Sequence, residues 1–305
     1  MKSDHSVKNI KAMVIDLEGA LLNGMKDVTP AASRILREMH ERGVMIILCT
    51  SQNPAVISRR LRDWQLEDCI PYIIGRWGSS LLNRYTRKLT CLAAVVPASI
   101  EHLQQMAAQS SVSLCLQQGR NLYAPARSFL CSLQALKMRK ALVTAPLPLD
   151  KPVSSLQVFG WTQDLKKFSQ ALQDDSVHLH SAGRFGLTIT SAAASSEQTV
   201  YRLLERHDLQ GDEVLTIAAG EDFAGLFDTT WGAAMKNADP LLLEKAVWIT
   251  KYPSGQDGVA YFMNQALISG EFSFGNPACL VHLSDSMQAG QGQSVPSEAS
   301  AGEST

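Results

Sequence analysis

Lys11-Ala-Met-Val-Ile-Asp16-Leu-Glu18-Gly19-Ala-Leu-Leu22 is the stretch that decides the fold. Met13, Val14 and Ile15 form a short apolar run that ends at once in a carboxylate, and Gly19 offers the chain a place to turn. Such a run reads as a parallel strand buried on both faces. Open α/β sheets gather their ligands at the carboxyl ends of strands. Asp16 is therefore the residue around which a site is expected.

Downstream, Thr29-Pro30 reads as an N-cap with proline at the first helical position. Ala32, Ile35, Leu36 and Met39 then fall on one helix face, and Gly43 closes it. Val44 to Leu48 is a second buried strand, ending at Cys49-Thr50-Ser51. Asn53-Pro54 repeats the cap, before a helix carrying Ile57, Leu61 and Trp64. Ile70 to Ile74 is a third strand that turns at Gly75 and Gly78. The β-α-β-α-β order predicts a doubly wound parallel sheet.

After Asn83 the texture changes. Helices are expected over 98–111, 128–140 and 164–172, with strands over 112–116, 156–159, 177–180 and 185–190, and a proline-rich connection at 145–152. This reads as an inserted α+β unit. The βα rhythm returns with Ser195-Ser196 as a cap, the strand Val214 to Ala218, and Asp257-Gly258 before a last helix. The expected fold is α/β, a Rossmann-like core (1–82 and 191–283) with an α+β cap (83–190) and a disordered tail (284–305).

The 305 residues are 45% hydrophobic with a formal net charge of −1. Near-neutrality argues against nucleic-acid or membrane-surface partners. No apolar run approaches the ~20 residues of a membrane span. The six cysteines form no CxxC pair and sit mostly in apolar runs, as reduced buried thiols of a cytoplasmic protein would.

Taken together, the motifs resemble the haloacid-dehalogenase superfamily, in particular its Cof-like, type IIB-capped phosphatases. The resemblance runs from Lys11 to about Ile268. It rests on Asp16-Leu-Glu18-Gly19, Thr50 at the end of the second strand, Val214-Leu-Thr-Ile-Ala-Ala-Gly-Glu-Asp222, Ala233-Ala-Met-Lys-Asn237 and Gln256-Asp257-Gly258. It implies phosphoryl transfer to an aspartate nucleophile, with an acid two residues later acting as acid/base. It also implies a hydroxyl and a lysine on the phosphate, Mg²⁺ held by acidic residues, and a small phosphorylated metabolite as substrate.

Carried over position by position, the match is incomplete. Asp16 stands as nucleophile, and Glu18 replaces the acid/base aspartate with a reach longer by roughly 1.5 Å. Thr50 and Ser51 fall at the hydroxyl motif. The lysine position falls near Ser196, with no lysine between Ala182 and Leu209. Ala219 and Phe223 replace the aspartates of the last motif, leaving Glu221 and Asp222 beside Asp16 and Glu18 as the metal-ligand candidates. The expectation is a degenerate phosphatase fold with lost or weak hydrolysis, kept for binding or regulation, its cap available to a protein partner. The alternative is an active Mg²⁺-dependent sugar or nucleotide phosphatase, in which a shifted loop brings Glu221 or Asp222 to the Ala219 position. His178 and His180, and the basic clusters Arg59-Arg60-Arg62 and Arg84-Arg87-Lys88, read as surface. Trp77 stands where related chains often carry asparagine, and its indole is expected to fill substrate space.

Overall fold

The computed structural model describes residues 7–275; the expected tail at 284–305 lies outside them. Its main sheet has eight strands among the described residues. In spatial order they are Trp248–Ile249, Trp231–Ala234, Val214–Ala218, Ala12–Asp16, Met45–Thr50, Tyr72–Gly75, Ser80–Asn83 and Lys88–Cys91. The first six pair in parallel and the last two are antiparallel.

The strand Ala12–Asp16 is buried at every position and sits mid-sheet, with Ile15 opposite Ile217 on one side and Leu48 on the other. Successive strands run outward from it in one direction through 45–50 and 72–75, and in the other through 214–218 and 231–234. That reversal opens a crevice at the strand ends beside Asp16.

The caps form as the sequence predicts. Thr29 Oγ1 accepts from the Ala32 amide, Asn53 Oδ1 from Ala55, and Ser195 Oγ from Gln198. Helix Pro30–Glu41 buries Ala32, Ile35, Leu36 and Met39 against the sheet. The second helix stops at Arg60, short of Trp64, and turns carry Leu61 and Trp64 into the core.

The hairpin Ser80–Asn83/Lys88–Cys91 extends the main sheet, so the boundary expected at residue 83 falls inside that hairpin. The cap sheet has six strands among the described residues, in the order Val177–Ser181, Gly186–Ser191, Leu156–Phe159, Ser113–Gln118, Asn121–Ala124 and Ala141–Thr144. Helices Pro97–Ala108 and Thr162–Ala171 bury Ile100, Leu103, Leu165 and Phe168 in a separate apolar cluster. Cys115 and Cys131 meet as free thiols 3.3 Å apart in a smaller cap cluster. A two-stranded parallel sheet pairs Lys8–Ile10 with Phe272–Phe274. No described helix is long and apolar enough to cross a membrane.

Candidate active site

Asp16 ends its strand and caps a single wide helical turn, Leu17–Leu21. Its side chain is only 8% exposed. The Gly19 amide donates to Oδ1 (3.1 Å) and the Ala219 amide to Oδ2 (3.3 Å). A Cβ on Gly19 would lie 2.1 Å from Asp16 Oδ2, so only glycine lets the turn close over the carboxylate. Burial pushes the Asp16 carboxyl up to about 7, and the charges of Glu18 and Asp222 add to this. The two amides pull the other way and do not prevail.

Glu18 turns away from Asp16, toward the end of the neighbouring strand. Its Oε1 accepts from the Thr50 hydroxyl (2.5 Å) and Gln52 Nε2 (3.1 Å), and its Oε2 from the Ser51 amide (3.2 Å). A side-chain hydroxyl and a backbone amide aimed at one anion are the kind of groups that would cradle a phosphate. Here they hold the protein's own carboxylate.

A cavity of about 290 Å³ connects these groups. Its walls carry the carboxylates of Asp16, Glu18 and Asp222 and the hydroxyls of Thr50, Ser51 and Ser196, with no lysine, arginine or histidine. Asp222 folds back over Gly220, where an added Cβ would meet its Oδ1 at 2.6 Å. Asp222 is itself exposed at the rim of this cavity, where loss of solvent and the charges of Glu221, Asp239 and Glu18 raise its carboxyl. Glu221 is exposed and does not line the cavity; its amide is held by Asp239 Oδ2 at 3.0 Å. Three of the four expected metal-ligand candidates, Asp16, Glu18 and Asp222, thus line one cavity, with Glu18 drawn to Thr50, while Glu221 stays outside it.

Among the described residues no group of three or more His, Cys, Asp or Glu side chains could hold a metal ion. Mg²⁺ asks for near-octahedral oxygen ligands. The Ala219 amide points a donor at Asp16 where the resemblance expects a second carboxylate. The side chains as arranged do not fit Mg²⁺.

Trp77, together with Glu18 and Ser51, lines both this cavity and a larger cleft of about 1750 Å³ whose walls come from core and cap. Its indole stacks on the His180 ring of the cap, centroids 3.7 Å apart and planes 9° from parallel. Burial pushes His180 down to about 4, and its Nε2 meets Thr190 Oγ1 at 2.9 Å. His180 is therefore a core–cap contact and not plain cap surface, while His178 stays exposed. Trp77 follows Arg76, and both adopt left-handed backbone (φ 53° and 54°) ahead of Gly78 at φ 88°. A Cβ on Gly78 would stand 2.1 Å from the Ser195 carbonyl carbon, so this turn packs directly on the helix start at Ser196.

Sequence reading missed Gln52 and Arg76. A bulky pair before Gly78, where a turn needs positive φ, is the signal that could have found the second. Of the basic clusters, Arg62 pairs with Glu67 (3.1 Å), and Arg59 and Arg60 both line the cleft, Arg60 pairing there with Asp27 (3.5 Å).

A family model described as haloacid dehalogenase-like hydrolase matches residues 13–263. The protein of Bacillus subtilis (strain 168) named "Putative phosphatase YxeH" is 23% identical over 272 residues, spanning 85% of this chain and 99% of that one. A haloacid dehalogenase-like hydrolase structure from Bacteroides thetaiotaomicron superposes with a TM-score of 0.75 at 18% identity, covering 84% of this chain and 99% of that chain. The TM0651 structure from Thermotoga maritima gives 0.72 at 16%, covering 84% and 97%.

Proposed function

The chain belongs to the haloacid dehalogenase-like hydrolases, with the fold of their Cof-like phosphatases, and from that premise we propose a divergent member whose phosphate-monoester hydrolysis is lost or strongly reduced. On this reading the fold is kept to bind a small phosphorylated metabolite or to regulate a partner through its cap.

One observation carries the reading. The Glu18 carboxylate takes up the Thr50 hydroxyl and the Ser51 amide. A phosphate entering the cavity would have to displace it and would still meet three carboxylates and no cation. Like charges about 4 Å apart repel by about 4 kcal/mol at an effective dielectric of 20. Asp16, with a carboxyl at about 7, is also only partly ionised near neutral pH. A nucleophile needs the anionic form.

The experiment is steady-state hydrolysis of p-nitrophenyl phosphate and a sugar-phosphate panel with Mg²⁺, with Asp16→Asn as control. The two proteins should not differ. Turnover that Asp16→Asn abolishes would overturn the reading in favour of an aspartyl-phosphate enzyme with Glu18 as acid/base.

A further inference from the structure

Beyond Trp77, the large cleft has the opposite electrical character from the Asp16 cavity. Besides Lys26 and Arg60, the latter paired with Asp27, it is lined by the six cations Arg59, Arg76, Arg120, Lys137, Arg139 and Lys140, against the carboxylates of Glu18 and Asp63. None of the six cations has a carboxylate within ion-pair distance among the described residues. They come from both sides of the cleft: Arg59 from a core helix, Arg76 from the turn after strand Tyr72–Gly75, and the rest from the cap. In a chain of net charge −1 this is a local concentration of one sign.

Arg76 is the built part of this surface. It is 8% exposed, and its Nη1 donates to Ser154 Oγ of the cap. Its buried Nη2 has no hydrogen-bond partner. Gln157, 8% exposed and also lining the cleft, has an equally unpartnered buried Oε1. Buried polar atoms of native proteins are rarely left unpaired without reason. The backbone adds a second departure, since Arg76 and Trp77 hold left-handed conformations that cost of order 1–3 kcal/mol each. Burial, and after it the positive charges of Arg59 and Arg76, lower the affinity of Lys140 for a proton. Gathered like charges of this kind are relieved by an anion.

We infer that the cleft between core and cap binds a small polyanion bearing two or more phosphate groups, anchored on the Arg76 guanidinium and flanked by Arg59 and Lys140. The inference rests on the reading that this fold is kept for binding. It places the ligand's charge on the cap side of Trp77 and not at Asp16. The cleft, with walls from both core and cap, suits a small molecule and not a nucleic-acid duplex. Guanidinium groups match phosphate geometry through paired donors.

The test is isothermal titration of the full-length protein with pyrophosphate and with inorganic phosphate, without Mg²⁺. Pyrophosphate should bind wild type and more tightly than phosphate. Arg76→Met should weaken it by about tenfold or more, the loss expected of a charged hydrogen bond. Arg59 is exposed and Lys140 half-buried, so Arg59→Gln/Lys140→Gln keeps the fold and should also weaken pyrophosphate and flatten its salt dependence. No binding to wild type, or a double variant that binds as wild type does, would overturn the inference, whatever becomes of Arg76→Met. Phosphate released in the same samples is read separately, so hydrolysis would count against the proposed function and leave the binding result standing.

Discussion

The Glu18 carboxylate and the Thr50 hydroxyl are hydrogen-bonded at 2.5 Å, and through this contact the hydroxyl at the end of strand Met45–Thr50 is taken up by the protein's own carboxylate. An aspartate at position 18 would be shorter by one methylene and could not make the same reach from the same turn.

If Glu18 holds the place of an anion, removing it should create an anion site. Glu18→Ala frees the Thr50 hydroxyl, the Ser51 amide and the Gln52 side chain. Orthovanadate should then raise the melting temperature of the variant and leave wild type unmoved. Equal shifts in both proteins would mean that Glu18 does not block the site.

The missing groups can be put back. Glu18→Asp with Ser196→Lys and Ala219→Asp restores the acid/base, the phosphate cation and a metal carboxylate in one cavity. Single preorganised groups typically contribute ~10²–10³ in rate, though not additively. The triple variant should gain Mg²⁺-dependent hydrolysis of p-nitrophenyl phosphate that Asp16→Asn removes. No gain would show that the loop around Ala219, and not only its side chains, has diverged.

Asp16 should set a pH dependence of stability. Folded, its carboxyl sits at about 7; its ordinary value is 3.8. Between these values the folded chain keeps a proton that the unfolded chain has released. Stability therefore falls as pH rises from about 4 to about 7, by up to about 4 kcal/mol. Asp16→Asn removes the ionisation, so it should be more stable than wild type at pH 8 and nearly equal at pH 4. Denaturant midpoints at the two pH values check this, and a constant difference would refute it.

Trp77 keeps His180 dry. Trp77→Asn suits the left-handed backbone better than tryptophan, since asparagine visits that region readily. It also removes the stacked indole, so the His180 imidazole, held down to about 4 by burial, should climb back toward its ordinary 6.5. Proton NMR titration of the ring reads this directly. A His180 that still titrates near 4 would assign its burial to the cap alone.

Gly78→Ala should be among the most damaging small substitutions. The position is left-handed, and the new methyl would meet the Ser195 backbone at 2.1 Å. A loss of about 2–4 kcal/mol is expected from strain and displacement together, read as a lowered denaturation midpoint.

Much of the core was legible because its signals are local. The strand ends at Asp16 and Ala218, and the caps at Thr29, Asn53 and Ser195, each follow from a few adjacent residues. The strands Asn121–Ala124 and Ala141–Thr144 were not legible, being four residues long with little alternation. Nor was Lys8–Ile10 against Phe272–Phe274, three-residue strands whose partners lie at opposite ends of the chain. In the site, the absences were readable: no lysine near Ser196, and an alanine at 219. What replaced them was not. The reach of Glu18 to Thr50 and the stacking of Trp77 on His180 depend on where side chains from distant strands meet. The orphaned Arg76 Nη2 belongs with them, since spacing carries no record of a buried donor's surroundings.

The order of strands in the main sheet also constrains how the protein is made. Ala12–Asp16 emerges from the ribosome early, and one neighbour, Met45–Thr50, follows soon after. Its other neighbour, Val214–Ala218, is about 200 residues downstream, beyond the whole cap. At ~5–20 residues per second that is a wait of roughly 10–40 s. Throughout it one side of Ala-Met-Val-Ile-Asp is an open, largely apolar strand edge on a nascent chain. Asp16 thus lies on the strand of this sheet that is translated first, and its second edge stays open until Val214–Ala218 is made, so factors that bind unpaired apolar strands during translation should bind this chain between the synthesis of residues 50 and 214.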